Sequence, residues 1–119
     1  MKPTSIDEAR AHYAMEWYTY RVIWSEEDDA FIGLVAEFPS LSWVADTQED
    51  AFAGIRSTVT AVLKDLQELG EPVPEPFSKR SYSGKFQVRI PPELHRRLAA
   101  EAAAQNVSLN RLVANRLAA

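Results

Sequence analysis

The chain has 119 residues, 25% of them charged and 46% hydrophobic, which suits one or two small domains and excludes a fibrous or disordered class. It has no cysteine, so neither a disulfide nor a thiol nucleophile can be invoked. The net charge of −4 conceals a polarity. Residues 1–70 carry 5 Lys/Arg against 13 Asp/Glu, whereas residues 78–119 carry 8 against 2. The basic tail suits a polyanion; the acidic body would be repelled by one and suits a basic protein partner. No apolar run approaches the roughly 20 residues of a membrane span, and Met1–Asp7 lacks an apolar signal core, so a cytoplasmic protein with no membrane partner is expected.

Ser5 and Glu8 form a Ser-x-x-Glu capping box, which predicts a helix over 6–16. His12 falls on it and reads as a lone surface histidine. Trp17 to Trp24 reads as a strand, with Tyr18, Tyr20, Val22 and Trp24 on one face and Thr19, Arg21 and Ile23 on the other. The acidic run Glu26-Glu27-Asp28-Asp29 is a solvated turn. It lacks the spaced ligands and glycine of a calcium loop. Phe31 to Phe38 makes the second strand of a hairpin. After the break at Pro39-Ser40-Leu41-Ser42, Trp43-Val44-Ala45 is a brief third strand.

The longest helix starts at Asp46-Thr47, with Thr47 as N-cap and Asp50 three residues on. Ala51, Phe52, Ile55, Val59, Val62, Leu63, Leu66 and Leu69 form its apolar stripe, and Gly70 is its expected stop. Its span of roughly 33 Å would cover a three-stranded sheet. Glu71-Pro72-Val73-Pro74-Glu75-Pro76 predicts a stiff extended linker, continued by a flexible basic connection over 77–83. The expected division is therefore a domain over 1–70, a linker over 71–83 and a second domain over 84–119.

In that last region Phe86, Val88 and Ile90 alternate with Lys85, Gln87 and Arg89, a period of two. Pro91 ends the strand and Pro92 suits a helix start. Leu94, Leu98 and Ala102 recur at helical spacing. Asn106 suits a left-handed turn, and Ser108 caps a final helix carrying Leu109, Leu112, Val113 and Leu117. The match of Asn106-Val107-Ser108 to a glycosylation sequon is better explained by this capping. About 35 residues cannot bury a core alone, so two copies are expected to pair their strands antiparallel and share one core. Such a ribbon fits the DNA major groove, where Lys85 and Arg89 suit guanine and Gln87 adenine. The bland reading is that these three are the wet face of an edge strand.

The strand–helix–helix order, the Pro-Pro junction and Val107-Ser108-Leu109-Asn110-Arg111-Leu112 resemble a ribbon-helix-helix DNA-binding domain, over about Gly84 to Ala119. The resemblance implies that Ser108, Leu109, Asn110 and Arg111 clamp a DNA phosphate at the start of the second helix, in keeping with the orphan donors there. The order strand–strand–strand–helix, Ala36-Glu37-Phe38-Pro39, Asp46-Thr47-Gln48-Glu49-Asp50-Ala51 and the exit Gly70-Glu71-Pro72-Val73-Pro74-Glu75-Pro76 resemble the HicB antitoxin family, over roughly Tyr18 to Pro76. Leu41-Ser42 and Ala45 stand where that family often has Gly-Cys and Gly. This second resemblance implies a partial ribonuclease-H-like fold without activity. It implies a protein that silences a small basic HicA-like, mRNA-cleaving toxin while its tail represses its own operon. The acidic residues Glu26, Glu27, Asp28, Asp29, Asp46, Glu49 and Asp50 are the expected toxin face.

The expected whole is an α+β chain: a small three-stranded antiparallel sheet packed by a long helix, then a dimerising ribbon-helix-helix tail. Its partners would be operator DNA, a HicA-like toxin and a second copy, with pairing into tetramers as a further option. No cofactor, metal site or catalytic residue is expected. Two rivals remain. One is a stand-alone transcription regulator whose first domain oligomerises or senses a ligand. The other is a metal-dependent nuclease built on Asp46, Glu49 and Asp50, although these also suit capping and the helix dipole.

Overall fold

A computed structural model describes residues 13–119. The chain forms two compact units, one ending at Ser81 and the other running from Tyr82 to Ala119. The first holds an antiparallel sheet in the order β1 (Tyr20–Ser25), β2 (Ala30–Val35), β3 (Ser42–Ala45), and the helix α1 (Gln48–Leu69). The second holds α2 (Pro92–Ala104) and α3 (Leu109–Ala118). The architecture is α+β. No helix among the described residues is long and apolar enough to cross a membrane.

The β1–β2 register runs from Tyr20 opposite Val35 to Ser25 opposite Ala30, and β2–β3 from Phe31 opposite Ala45 to Leu34 opposite Ser42. Alternation therefore turns Tyr20, Val22, Gly33 and Val35 toward α1. Gly33 lets the helix approach closely, since a Cβ there would strike the Ala51 carbonyl and the Ile55 side chain. Gly54 of α1 is matched in the same way to the Trp43 indole of β3. Tyr18, Val35, Phe38, Ile55 and Val59 make the core, with Met15, Leu41, Val62, Leu63 and Leu66 packed around it. Ile55 and Val59 are fully buried, and each such side chain contributes about 1.5–3 kcal/mol.

Both ends of α1 are capped as expected. Thr47 Oγ1 accepts from the Asp50 N–H at 3.0 Å. Gly70, at φ 66, turns left-handed, and the N–H groups of Gly70 and Glu71 donate to the carbonyls of Gln67 and Leu66. Across the four-residue turn between β1 and β2, Ser25 Oγ accepts from the Asp28 N–H, and Asp29 takes φ 49.

Some boundaries differ from expectation. The helix predicted over 6–16 lies mostly outside the described residues. Within them Ala14 is extended and Met15–Trp17 forms one 3-10 turn, so the helix does not reach 16. Tertiary contacts outweigh propensity there: Met15 packs on the core, and its carbonyl accepts from the Tyr20 hydroxyl at 2.7 Å. That turn also delays β1 to Tyr20, while Tyr18 still enters the core, its ring 5.3 Å from that of Phe38. β2 ends at Val35 rather than Phe38 because a side chain replaces the next ladder acceptor. Glu37 Oε1 takes the Thr19 N–H at 3.0 Å, and the chain turns as Phe38 N–H donates to the Val35 carbonyl.

The proline-rich segment has no regular secondary structure, and residues 74–80 are tied to the sheet unit. Pro76 is fully buried. The Tyr18 hydroxyl donates to the Pro74 carbonyl at 2.7 Å, the Phe77 N–H to Glu37 Oε2 at 2.9 Å, and Ser78 Oγ to the Trp17 carbonyl at 2.7 Å. Lys79 lies over the Trp17 ring at 4.1 Å, and Arg80 over the Phe77 ring at 4.1 Å. The connection expected to be flexible over 77–83 is thus held through Arg80.

Glu37 is the centre of this attachment. It is 8% exposed and also accepts from the Thr19 hydroxyl at 3.1 Å. Burial would raise its carboxyl pKa, but the Phe77 and Thr19 backbone donors and the Thr19 hydroxyl outweigh that and hold it below the usual carboxylate range. Burial also pushes the Tyr20 hydroxyl up to about 12, against the opposing pull of Arg56.

Candidate nucleic-acid interface and acidic face

Residues 85–90 pair with no strand among the described residues and are exposed throughout. Their apolar members remain wet, with Phe86 74% exposed and Val88 66%. Only Ala102 and Leu112 are buried in this unit. The segment lies along α3, and between them opens a groove of about 910 Å³. Phe86 and Val88 form one wall of it, and Leu109, Val113 and Leu117 the other. The strand expected over 85–90 is therefore an unpaired segment in a single chain. An isolated strand has no partner for its N–H and C=O groups and no second face to cover its apolar side chains.

The two helices are placed by their own signals. Pro92 opens α2. Its end is a left-handed turn at Asn106, φ 58, where the Asn106 and Val107 N–H groups donate to the carbonyls of Ala103 and Ala102. Ser108 caps α3, its Oγ accepting from the Arg111 N–H at 3.0 Å. Arg116 of α3 pairs with Glu101 of α2, an exposed contact of small energetic weight.

Of the expected base-reading residues, Gln87 and Arg89 are exposed and outside the groove lining, whereas Lys85 stands at its rim. The groove also contains Leu109 and Asn110, so Lys85 and the start of α3 come together. Among the expected phosphate ligands the Arg111 N–H is already engaged by Ser108. The first-turn N–H groups of Leu109 and Asn110 have no intrahelical acceptor and are the ones suited to an anion.

The expected toxin-facing carboxylates form two groups that the sheet brings to one end. Glu26, Glu27, Asp28 and Asp29 fill the β1–β2 turn, next to the Ser25–Ala30 pair. Asp46, Glu49 and Asp50 follow Ala45, which pairs with Phe31 one step further in. All seven are exposed. Sequence spacing separates these groups by 16 residues, and only the register of β2 with both neighbours shows their common end. In the sequence Glu37 stands out only as part of Ala36-Glu37-Phe38-Pro39. A buried carboxylate one residue before a core phenylalanine carries no signal that it will hold a distant backbone.

Comparison with known proteins touches the second unit most. Residues 66–117 match the model of the HicB family, from the last turn of α1 through the proline-rich segment and α2 to the end of α3. No curated protein and no solved structure matches the chain. Over a little under half of its length, then, this chain is similar to the HicB family, and the matched stretch contains both tail helices and the exposed segment before them.

Proposed function

We propose that this protein is a HicB-like antitoxin: its tail dimerises as a ribbon-helix-helix operator binder, and its first unit neutralises a basic HicA-like toxin by protein contact. The observation that carries the reading is the HicB match over a tail whose apolar faces are unburied in one chain. A second copy would pair the 85–90 segments, cover Phe86, Val88 and Leu117, and present Lys85, Gln87 and Arg89 on the outer face twice. Leu109 and Asn110 would hold a backbone phosphate and so set the register on DNA, while Arg89 and Gln87 would read base edges. The likeness of the first unit to a partial ribonuclease-H-like fold, and a cytoplasmic location, belong to the same reading. No catalytic step is assigned to this chain.

The test has two arms. Salt-dependent affinity for DNA upstream of the gene is compared with that for a scrambled duplex. Preference by about a thousandfold or more supports the operator binder, and equal weak binding that vanishes with modest salt removes it. Pull-down of the small basic protein encoded beside this gene supports the antitoxin. Failure to recover it, with operator binding intact, leaves a stand-alone regulator.

A further inference from the structure

The sheet of the first unit has a second face. Alternation turns Arg21, Ile23, Ile32, Leu34, Ser42 and Val44 away from α1. The register aligns Ile23, Ile32 and Val44 in one row across all three strands, with Arg21, Leu34 and Ser42 in a neighbouring row. Ile23 is 39% exposed and Val44 54%, Ile32 between them is half-buried, and among the described residues the one long helix of this unit packs on the opposite face, against Gly33 and Trp43. An antiparallel sheet left open to water normally carries polar residues on its wet face. A branched aliphatic row there departs from that pattern and offers a contiguous apolar strip suited to a protein contact.

The charges around the row select the occupant. The β1–β2 turn and the carboxylates before and within the first turn of α1 stand at one end of the same sheet. A second copy would bring an identical acidic end, on a body that carries 5 Lys/Arg against 13 Asp/Glu over residues 1–70. A nucleic acid would be repelled. A protein surface with an apolar centre and a basic margin satisfies both features: it covers the aliphatic row and meets the acidic end with opposite charge.

We infer that the open face of the sheet, centred on Ile23, Ile32 and Val44 and bounded by the acidic turn 26–29 and the start of α1, is the docking surface for a basic protein partner. This rests on the antitoxin reading and names the surface through which neutralisation works. The aliphatic row supplies the desolvated centre of the contact, and the carboxylates steer the encounter and fix its orientation.

The test uses the full chain and the basic protein of the adjacent gene, with affinity measured at two salt concentrations. Ile23→Ser/Val44→Ser weakens binding about tenfold or more, as loss of central contacts does. Glu27→Gln/Glu49→Gln weakens it less and flattens its salt dependence. Asp65→Asn/Glu68→Gln, equal in charge but near the far end of α1, leaves it unchanged. Operator affinity and the melting curve of each variant show that the chain remains folded. Full partner affinity in the folded Ile23/Val44 variant overturns the inference while leaving the antitoxin reading in place. So does equal weakening by the Asp65/Glu68 pair, which would reduce the effect to net charge. A change of oligomeric state in the Ile23/Val44 variant without the partner overturns it in favour of a copy-to-copy interface. No binding by the unmodified chain removes the antitoxin reading itself.

Discussion

The unit ending at Ser81 closes a core within one chain: five buried side chains sit between sheet and helix, and a buried carboxylate fastens the connection that follows. The tail has two buried residues and leaves Phe86, Val88 and Leu117 largely exposed. Both regions obey the same local rules of capping and periodicity. They differ in how much of their apolar surface one chain buries, and the proposed pairing of two copies would supply what the tail lacks. The first unit's stability should therefore be independent of concentration, and the tail's should rise with it by mass action.

The strongest break of this contrast is Phe86→Asp. On the proposed reading, a charge in the apolar wall of the tail groove should abolish pairing of two copies and reduce operator affinity by about a thousandfold, toward non-specific binding. Sedimentation and DNA titration check it, and the near-ultraviolet signal of the first unit should persist. Ile55→Ala works in the other direction. It removes a fully buried side chain and should cost about 3 kcal/mol of first-unit stability in denaturant titration while leaving tail pairing intact.

Next comes Arg89→Ala, which should cost roughly 1–3 kcal/mol and relax base preference at one position. Equal loss on every duplex would make Arg89 a phosphate contact instead. Glu37→Gln should cost about 1–3 kcal/mol, since the amide keeps the shape but puts an NH2 donor where one carboxylate oxygen accepts, so at least one backbone N–H loses its partner and the remaining bonds lose their charge assistance. Because the folded carboxyl sits below its ordinary range, the stability it contributes is complete above the ordinary carboxylate pKa and is lost as pH falls through the depressed folded value. Acid melts of the two proteins should converge there. Tyr20 acts at the opposite end. Its raised pKa lets its contribution persist below pH about 10 and fade toward about 12, which an absorbance titration reads. The smallest effect expected is at Asn106. Replacement by Ala in its left-handed turn should cost about 1 kcal/mol, and by Gly should gain a few tenths.

Much of the first unit was legible before the structure. The hairpin, the brief third strand, Thr47 as N-cap, Gly70 as stop and the stripe through Ile55 and Val59 are local signals, and local signals survive folding when packing agrees with them. The errors occur where a distant group competes. Met15–Trp17 forms a 3-10 turn while Tyr18 enters the core, β2 stops where Glu37 takes the Thr19 donor, and the connection to the tail is held by Glu37, Trp17 and Tyr18. In the candidate DNA interface the helices, the Asn106 turn and the Ser108 cap were readable. The placement of Lys85 at the groove rim beside α3, apart from Gln87 and Arg89, was not, because alternation assigns faces only to a strand that is paired.

Sequence alone therefore determined the order and type of the elements, their caps, and the split between acidic body and basic tail, since periodicity, capping chemistry and charge are properties of neighbouring residues. Only the tertiary structure decided that two acidic groups 16 residues apart share one end of the sheet, that Ile23, Ile32 and Val44 align in one row across its three strands, and that a buried glutamate anchors the connection. Those depend on strand register and on contacts across some 20–60 residues of chain, where the energy of packing and of satisfying buried donors outweighs any local preference.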